Sequence, residues 1–219
     1  MGFYDKHILP RFINCACSAG PIMKQREKVV PLATGTVLEI GIGTGLNLPY
    51  YDASRVQRVI GLDPSEASWA LAGERAARLD FAVEFIALPG EEIPLADASV
   101  DTVLVTFALC TIPDPVTALL GMARVLRPGG SLLFCEHGAA PDANVRKWQD
   151  RINPLWRRIA GGCNLNRGIP RLLERGGFSI TDLHTCYLPS TPKFAGYNYW
   201  GSARLTQEAH GSGGTSRTM

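Results

Sequence analysis

Glu39-Ile40-Gly41-Ile42-Gly43-Thr44-Gly45 is the stretch on which the reading of this chain turns. It grows out of a short apolar run, Val37-Leu38-Glu39-Ile40, that has the composition of a buried strand. Glycines at alternate positions let the backbone turn sharply and approach a ligand closely, because a residue without a Cβ reaches conformations that others avoid. Working outward, strand-like runs recur at 58–62, 83–86, 100–107, 131–135, 180–188 and 197–204. Helical patterns fall between them. Glu66 to Leu79 is Ala-rich, with Trp69, Ala72 and Ala76 on one face. Asp114-Pro115 reads as an N-cap followed by proline at the first helical position, and Val116, Leu119, Leu120 and Ala123 follow at helical spacing. Arg127-Pro128-Gly129-Gly130 stops that helix, and Pro170 opens a later one that Gly176-Gly177 ends. Strands alternating with helices predict an α/β fold, a mostly parallel sheet with helices on both faces. Ligands bind such sheets beyond the carboxyl ends of the strands.

Composition narrows the options. The chain has 219 residues, 46% apolar and 19% charged, which is ordinary globular usage and long enough for a core without staples. Lys plus Arg is 22 and Asp plus Glu is 20, so no charge imbalance calls for nucleic acid. The longest uncharged apolar run, Thr102 to Pro113, is too short for a membrane span. Asp5, Lys6, Pro10 and Arg11 break up any signal-peptide core, so the expected compartment is the cytoplasm. The six cysteines form no C-x-x-C pair, so no zinc framework and no metal are expected. Residues 1–34 precede the first strand and carry an amphipathic stretch, Phe3, Ile8, Phe12 and Ile13, broken by Pro10. The expected organisation is an N-terminal helical lid over 1–34, one domain over 35–209 and a disordered Gly/Ser/Thr tail over 210–219.

The glycine loop differs from the dinucleotide fingerprint G-x-G-x-x-G, since the third glycine comes one residue early and Leu46 holds its place. That argues against a pyrophosphate ligand and a nicotinamide-dependent oxidoreductase. The second strand ends at Asp63, 18 residues past Gly45, where a carboxylate can accept both hydrogen bonds of a ribose diol. The fourth strand runs into Thr106-Phe107-Ala108-Leu109-Cys110, an apolar surface suited to an adenine ring or a methionine chain.

Glu39 with its G-x-G-x-G loop, Asp63, Ile93-Pro94-Leu95, Asp101 and the Arg-Pro-Gly-Gly turn together resemble a class I S-adenosylmethionine-dependent methyltransferase over about residues 35–136. The resemblance implies a Rossmann-like seven-stranded sheet of order 3-2-1-4-5-7-6 with the last strand antiparallel. It also implies a cofactor, S-adenosyl-L-methionine, leaving as S-adenosyl-L-homocysteine. Gly41, Gly43 and Gly45 would cradle its methionine part, Glu39 would organise the loop, and Asp63 would hold the ribose hydroxyls. Pro89-Gly90-Glu91 stands where many relatives carry an Asp for the adenine, so that contact falls to Gly90 or Glu91. Asn47, Pro64, Phe107, Ala108 and Leu109 complete the expected cofactor contacts.

Cys135-Glu136-His137-Gly138, Pro141-Asp142, Trp148-Gln149, Pro154-x-Trp156, Gly161-Gly162-Cys163, Leu165 and Arg167, with Leu109-Cys110 and Asn47, resemble the alkyl thiol methyltransferase family and its bacterial relatives. That resemblance implies a small, fairly apolar thiol acceptor. Similar chains serve quinone precursors, phenols, amines and aminophospholipids, and a non-catalytic cofactor-binding module is a third alternative.

Val145, Trp148, Ile152, Leu155 and Ile159 recur on one helical face, with Pro154 expected to kink or split the helix. Its basic residues leave a local +3, open to weak contact with an acidic membrane surface or to plain solvation. Trp148 and Trp156 either wall an acceptor pocket or pack the helix on the sheet. His137, at the end of the fifth strand, is the first candidate for a general base, with Tyr4 and His7 of the lid as second choices. Each has a structural alternative: a hydrogen-bonded histidine beside Glu136, and simple lid packing. A covalent role for Cys163 is rejected, since direct methyl transfer needs no enzyme nucleophile.

Overall fold

The computed structural model describes residues 17–206. The expected lid residues Tyr4 and His7 and the expected tail over 210–219 lie outside them. The elements in chain order are α1 (Gly20–Val29), β1 (Gly35–Ile40), β2 (Val56–Leu62), α2 (Glu66–Ala70), α3 (Gly73–Ala76), β3 (Ala82–Ile86) and β4 (Val100–Thr106). Then come α4 (Pro115–Val125), β5 (Leu126–His137), α5 (Ala143–Ile159), α6 (Ile169–Arg175), β6 (Phe178–Tyr187), α7 (Lys193–Gly196) and β7 (Tyr197–Leu205). Among the described residues the strands form one seven-stranded sheet of order β3-β2-β1-β4-β5-β7-β6. β1 to β5 pair in parallel, and β7 runs antiparallel between β5 and β6. The order reverses between β1 and β4, and the crevice beyond that pair is where open α/β sheets take their ligands.

Central strands read as continuous apolar runs because both faces are covered. Val37, Leu38, Val103, Leu104 and Val105 are all fully buried. One face carries Leu38, Val103, Val105 and Phe134 against α4 and α6, and the other carries Val37, Val59, Leu104 and Leu133. Asp101 ties the entry of the sheet: one oxygen accepts from the Thr36 N–H at 2.8 Å and the other from Arg127 at 2.5 Å. Burial works against its charge, but those two donors prevail and hold the carboxyl below its usual range.

Four expectations need correction. The 66–79 helix is two short pieces, α2 and α3, with Trp69 stacked on Phe85 at 4.9 Å. In α4 the cap is as expected, Asp114 accepting from the Val116 and Thr117 N–H groups, but the inward face is Ala118, Leu119, Met122 and Val125. Leu120 points outward. Of the kink or split expected at Pro154, the split does not occur, since α5 runs on through it from Ala143 to Ile159. Nor do both tryptophans face inward: Trp148 and Leu155 are exposed, while Trp156 meets Phe194 edge-on at 6.3 Å. Among the described residues no helix is long and apolar enough to cross a membrane.

The neighbouring leucines of α4 give a stability test. Leu119 is fully buried against Gly176, whereas Leu120 is 53% exposed. Leu119→Ala is expected to lower the unfolding free energy by about 3 kcal/mol, with the denaturant midpoint falling at constant slope. Leu120→Ala should stay within about 0.5 kcal/mol of the parent. Equal losses in urea titrations would contradict the assigned face.

Candidate active site

Five side chains meet in the interior at the carboxyl ends of β1 and β4. Glu39, buried, accepts from Tyr51 Oη at 2.6 Å and from Asn47 Nδ2 at 2.9 Å. Asn47 Nδ2 also donates to Thr106 Oγ1 at 2.9 Å. Arg26, sent in from α1, donates to Asn47 Oδ1 and to Thr106 Oγ1, each at 2.7 Å. Burial pushes the Glu39 carboxyl up to about 7, although Tyr51, Asn47 and the Arg26 charge all favour the anion. Among the described residues Arg26 Nε is buried with no hydrogen-bond partner.

The glycine loop bends around this cluster. Gly41, Gly43 and Gly45 all have positive φ, of 74°, 50° and 70°. A Cβ on Gly41 would stand 2.6 Å from Ala108 Cβ, and one on Gly45 would stand 2.8 Å from Leu48 Cδ1. Gly43 differs, for the nearest atom to its Cβ position is Asp63 Oδ2 at 3.7 Å. Its backbone is left-handed and its face is open, which is the shape of a cradle. Asp63 pins the loop to the end of β2, accepting from the Gly43 N–H at 3.0 Å and the Ser65 N–H at 2.8 Å. Burial raises its carboxyl, with those two donors acting in the opposite direction. Arg75 of α3 holds the Thr44 carbonyl at 2.6 Å. Pro64 is exposed. Gly90 is buried under Ile112 and Ile40, and Glu91 Oε1 accepts from the Asp114 N–H at 3.0 Å.

A second buried carboxyl holds the loop after β4. Glu136 Oε1 accepts from the Ala108 and Leu109 N–H groups at 2.7 and 2.9 Å, while its Oε2 is buried without a partner among the described residues. Phe107, just before them, is left-handed at φ 52°, a conformation costly for a bulky residue and typical of functional sites. The Arg26 guanidinium lies 5.1 Å from the centre of its ring.

His137 ends β5 with its Nε2 3.1 Å from Cys163 Sγ. Burial works against its charge, but Cys163 and the Glu136 carboxyl outweigh it and raise the imidazole. Cys163 sits on the segment after α5, which straps down over the β4 loop. Asn164 gives the Cys110 carbonyl both its N–H, at 2.8 Å, and its Nδ2, at 2.9 Å. Arg167 reaches the Leu109 and Ile112 carbonyls. Gln149, buried on α5, knots the strap from below: its Nε2 faces the Gly138, Leu165 and Phe194 carbonyls and its Oε1 accepts from the Ala140 N–H. The fold thereby brings Cys110, His137 and Cys163 together from the loop after β4, the end of β5 and the strap after α5.

The family model described as a methyltransferase domain matches residues 38–134. The human thiol S-methyltransferase TMT1A is 32% identical over 166 residues, covering 75% of this chain and 68% of its own length. The chain belongs to the class I S-adenosylmethionine-dependent methyltransferases. Human thiol S-methyltransferase TMT1B is 38% identical over 156 residues, 67% of this chain, and the chain spans 62% of its length. Among solved structures, an S-adenosylmethionine-dependent methyltransferase of Mesorhizobium loti superposes with a TM-score of 0.63 at 20% identity, covering 85% of this chain and 98% of that one.

The residues present fit the cofactor of a methyltransferase. Gly43 offers an open left-handed turn, and the unpartnered Arg26 Nε suits a carboxylate. Arg26 and Tyr51 were invisible as site residues in the sequence, and Thr106 showed only as part of the apolar surface after the fourth strand. Their signal was weak, since each needs tertiary structure to reach Glu39.

Glu39 makes the pH dependence of this methyltransferase testable. Its folded carboxyl titrates near 7 against an ordinary 4.5. Between those values the folded state keeps a proton that the unfolded state releases, so the contribution of Glu39 to stability falls as pH rises and is fully lost above 7. The separation corresponds to at most about 3 kcal/mol. Urea denaturation of Glu39→Gln is expected to show a flatter decline from pH 4.5 to 8 than the parent. Parallel curves would mean that Glu39 is not a buried acid.

Proposed function

We propose that this methyltransferase moves a methyl group from S-adenosylmethionine to the sulfur of a small, fairly apolar thiol. The observation that carries this reading is the likeness to two thiol S-methyltransferases, at 38% and 32% identity. The chemistry of the acceptor end supports it, for Leu109, Cys110, His137 and Cys163 present apolar and soft groups. Among the described residues the nearby carboxyl, Glu136, is already bound to backbone N–H groups.

S-adenosylmethionine supplies a methyl group activated by its sulfonium charge. The chain's work is to align and to exclude water. Gly41, Gly43 and Gly45 cradle the methionine part, Arg26 meets its carboxylate, and Glu39 is the anion beside its amino group. Asp63 keeps lone pairs for the ribose hydroxyls beyond those it gives Gly43 and Ser65. Gly90 and Glu91 border the adenine, with Phe107, Ala108 and Leu109 as the wall on the β4 side. A free thiol has a pKa of about 8.5, so only a few per cent is nucleophilic at neutral pH. His137 is the residue through which the acceptor is activated.

Release of S-adenosylhomocysteine from purified protein, measured with a panel of thiols, phenols, amines and aminophospholipid, tests the acceptor. Product with thiols alone is the expected result. Product confined to another class would keep the cofactor and overturn the thiol. Asp63→Ala is expected to weaken cofactor binding about tenfold or more by calorimetry, since two charge-assisted hydrogen bonds are lost; unchanged affinity would remove Asp63 from the ribose. His137→Gln is expected to slow turnover about 10- to 100-fold with cofactor affinity intact. Unchanged turnover would leave His137 a structural residue.

A further inference from the structure

Cys110, His137 and Cys163 share a property that their sequence spacing hides. Their ligand atoms, two sulfurs and one ring nitrogen, all lie within 4.8 Å of one another. Tetrahedral zinc, with bonds of about 2.3 Å to sulfur and about 2.0 Å to nitrogen, spaces its donors by about 3.5 Å. The observed 3.1 Å from His137 Nε2 to Cys163 Sγ needs only a few tenths of an ångström of opening. We propose that these three residues form a site for a thiophilic divalent cation, zinc foremost, whose fourth position takes the acceptor thiol.

Three further observations support a built site. Each ligand is held by backbone anchored elsewhere: Cys110 by Asn164, Cys163 by the same strap, and His137 by the end of β5 in register with Asn198 of β7. Two cysteines and one histidine are the donor set of a catalytic zinc site that keeps one position open, and a soft cation selects sulfur over amine or phenol oxygen. The site also lies close to the glycine loop that the proposed cofactor would occupy. Cys110 is two residues past Ala108, whose methyl fills the space that a Gly41 side chain would need.

The inference rests on the thiol reading and says how the thiol is activated. A thiol entering the open position forms a sulfur–metal bond, and its proton leaves to solvent. The sulfur is then a thiolate near neutral pH without a protein base, because a coordinating thiol is deprotonated outright. His137 serves as a ligand through its ring nitrogen, and Cys163 keeps no covalent part in the transfer.

The test begins with metal alone. Full-length protein purified from zinc-supplemented medium is analysed by elemental mass spectrometry, and the chelated protein is titrated with cobalt(II). One equivalent of metal and a thiolate-to-cobalt charge-transfer band are expected. Cys163→Ala and Cys110→Ala should each lower the affinity at least tenfold, with cofactor binding as the control for folding. Cys186→Ala, which lies apart on β6, should leave it unchanged. Absence of stoichiometric metal, or equal binding by Cys163→Ala, overturns the site. The acceptor reading is tested separately by product. Metal bound in full with no thiol methylated keeps the site and sinks the thiol, whereas thiol methylation at full rate by chelated enzyme sinks the role of the metal.

Discussion

A carboxyl group buried at the carboxyl end of β1 is the constraint from which the rest of the site follows. Glu39 cannot sit in the interior as an anion without donors, because burial there carries a heavy desolvation cost. Tyr51 and Asn47 supply hydrogen bonds and Arg26 supplies charge. These groups come from two parts of the chain: Arg26 from α1, Asn47 and Tyr51 from the segment beyond the glycine loop. Satisfying one carboxyl thus ties two pieces of backbone to β1. Thr106 on β4, bonded to both Asn47 and Arg26, extends the cluster across the strand-order reversal. A carboxyl that titrates near 7 is also poised, since a cationic ligand beside it would favour the charged form.

Glu136 repeats the device on the far side of β4. It binds two successive N–H groups of the β4 loop and so keeps Phe107 in its left-handed turn. Glu136 thus holds the β4 loop directly, whereas Glu39 reaches only the end of β4, through Asn47 and Thr106. In the proposed site the β4 loop is the wall shared by the cofactor and acceptor sides. Gln149 does the same work one layer out, joining the β5 exit at Gly138 and Ala140 to the strap at Leu165, with its Nε2 also facing the Phe194 carbonyl of α7.

The parts of this arrangement that were legible in the sequence are those set by local rules. Strands 58–62 and 83–86 stand out because apolar runs end at turn residues, and β2 and β3 follow them closely. The Asp114-Pro115 cap and the glycine loop are likewise local, since N–H satisfaction and positive φ are properties of a few consecutive residues. Strand order and the antiparallel β7 came from family resemblance, not from periodicity. What could not be read was tertiary. The split of the 66–79 segment and the outward turn of Leu120 depend on what packs against each helix. Trp148 fits an apolar stripe by spacing, yet the buried face of α5 is defined by Gln149, a polar residue chosen for its hydrogen bonds. Arg26 carries no motif at all. A rule based on C-x-x-C spacing excludes zinc frameworks built on one hairpin, and it is silent on ligands gathered from the ends of two strands and a strap.

The division of labour between the two sides explains why the cofactor is easier to read than the acceptor. On the proposed assignment the cofactor residues lie mostly in the turns directly after β1 to β4, within a few positions of strand ends, with Arg26 of α1 the exception. The proposed acceptor side is built by the strap, whose position depends on Gln149, Asn153, Asn164 and Arg167 acting together. Arg167 bonds to backbone carbonyls on the β4 loop, not to side chains, so the strap can keep its course while the groups it presents vary. Cys163 is such a group: it lies next to Asn164, the anchor, and its own side chain faces His137. The same frame can thus carry different side chains, and the proposed acceptor is argued from those at Cys110, His137 and Cys163 and not from the sheet that carries them.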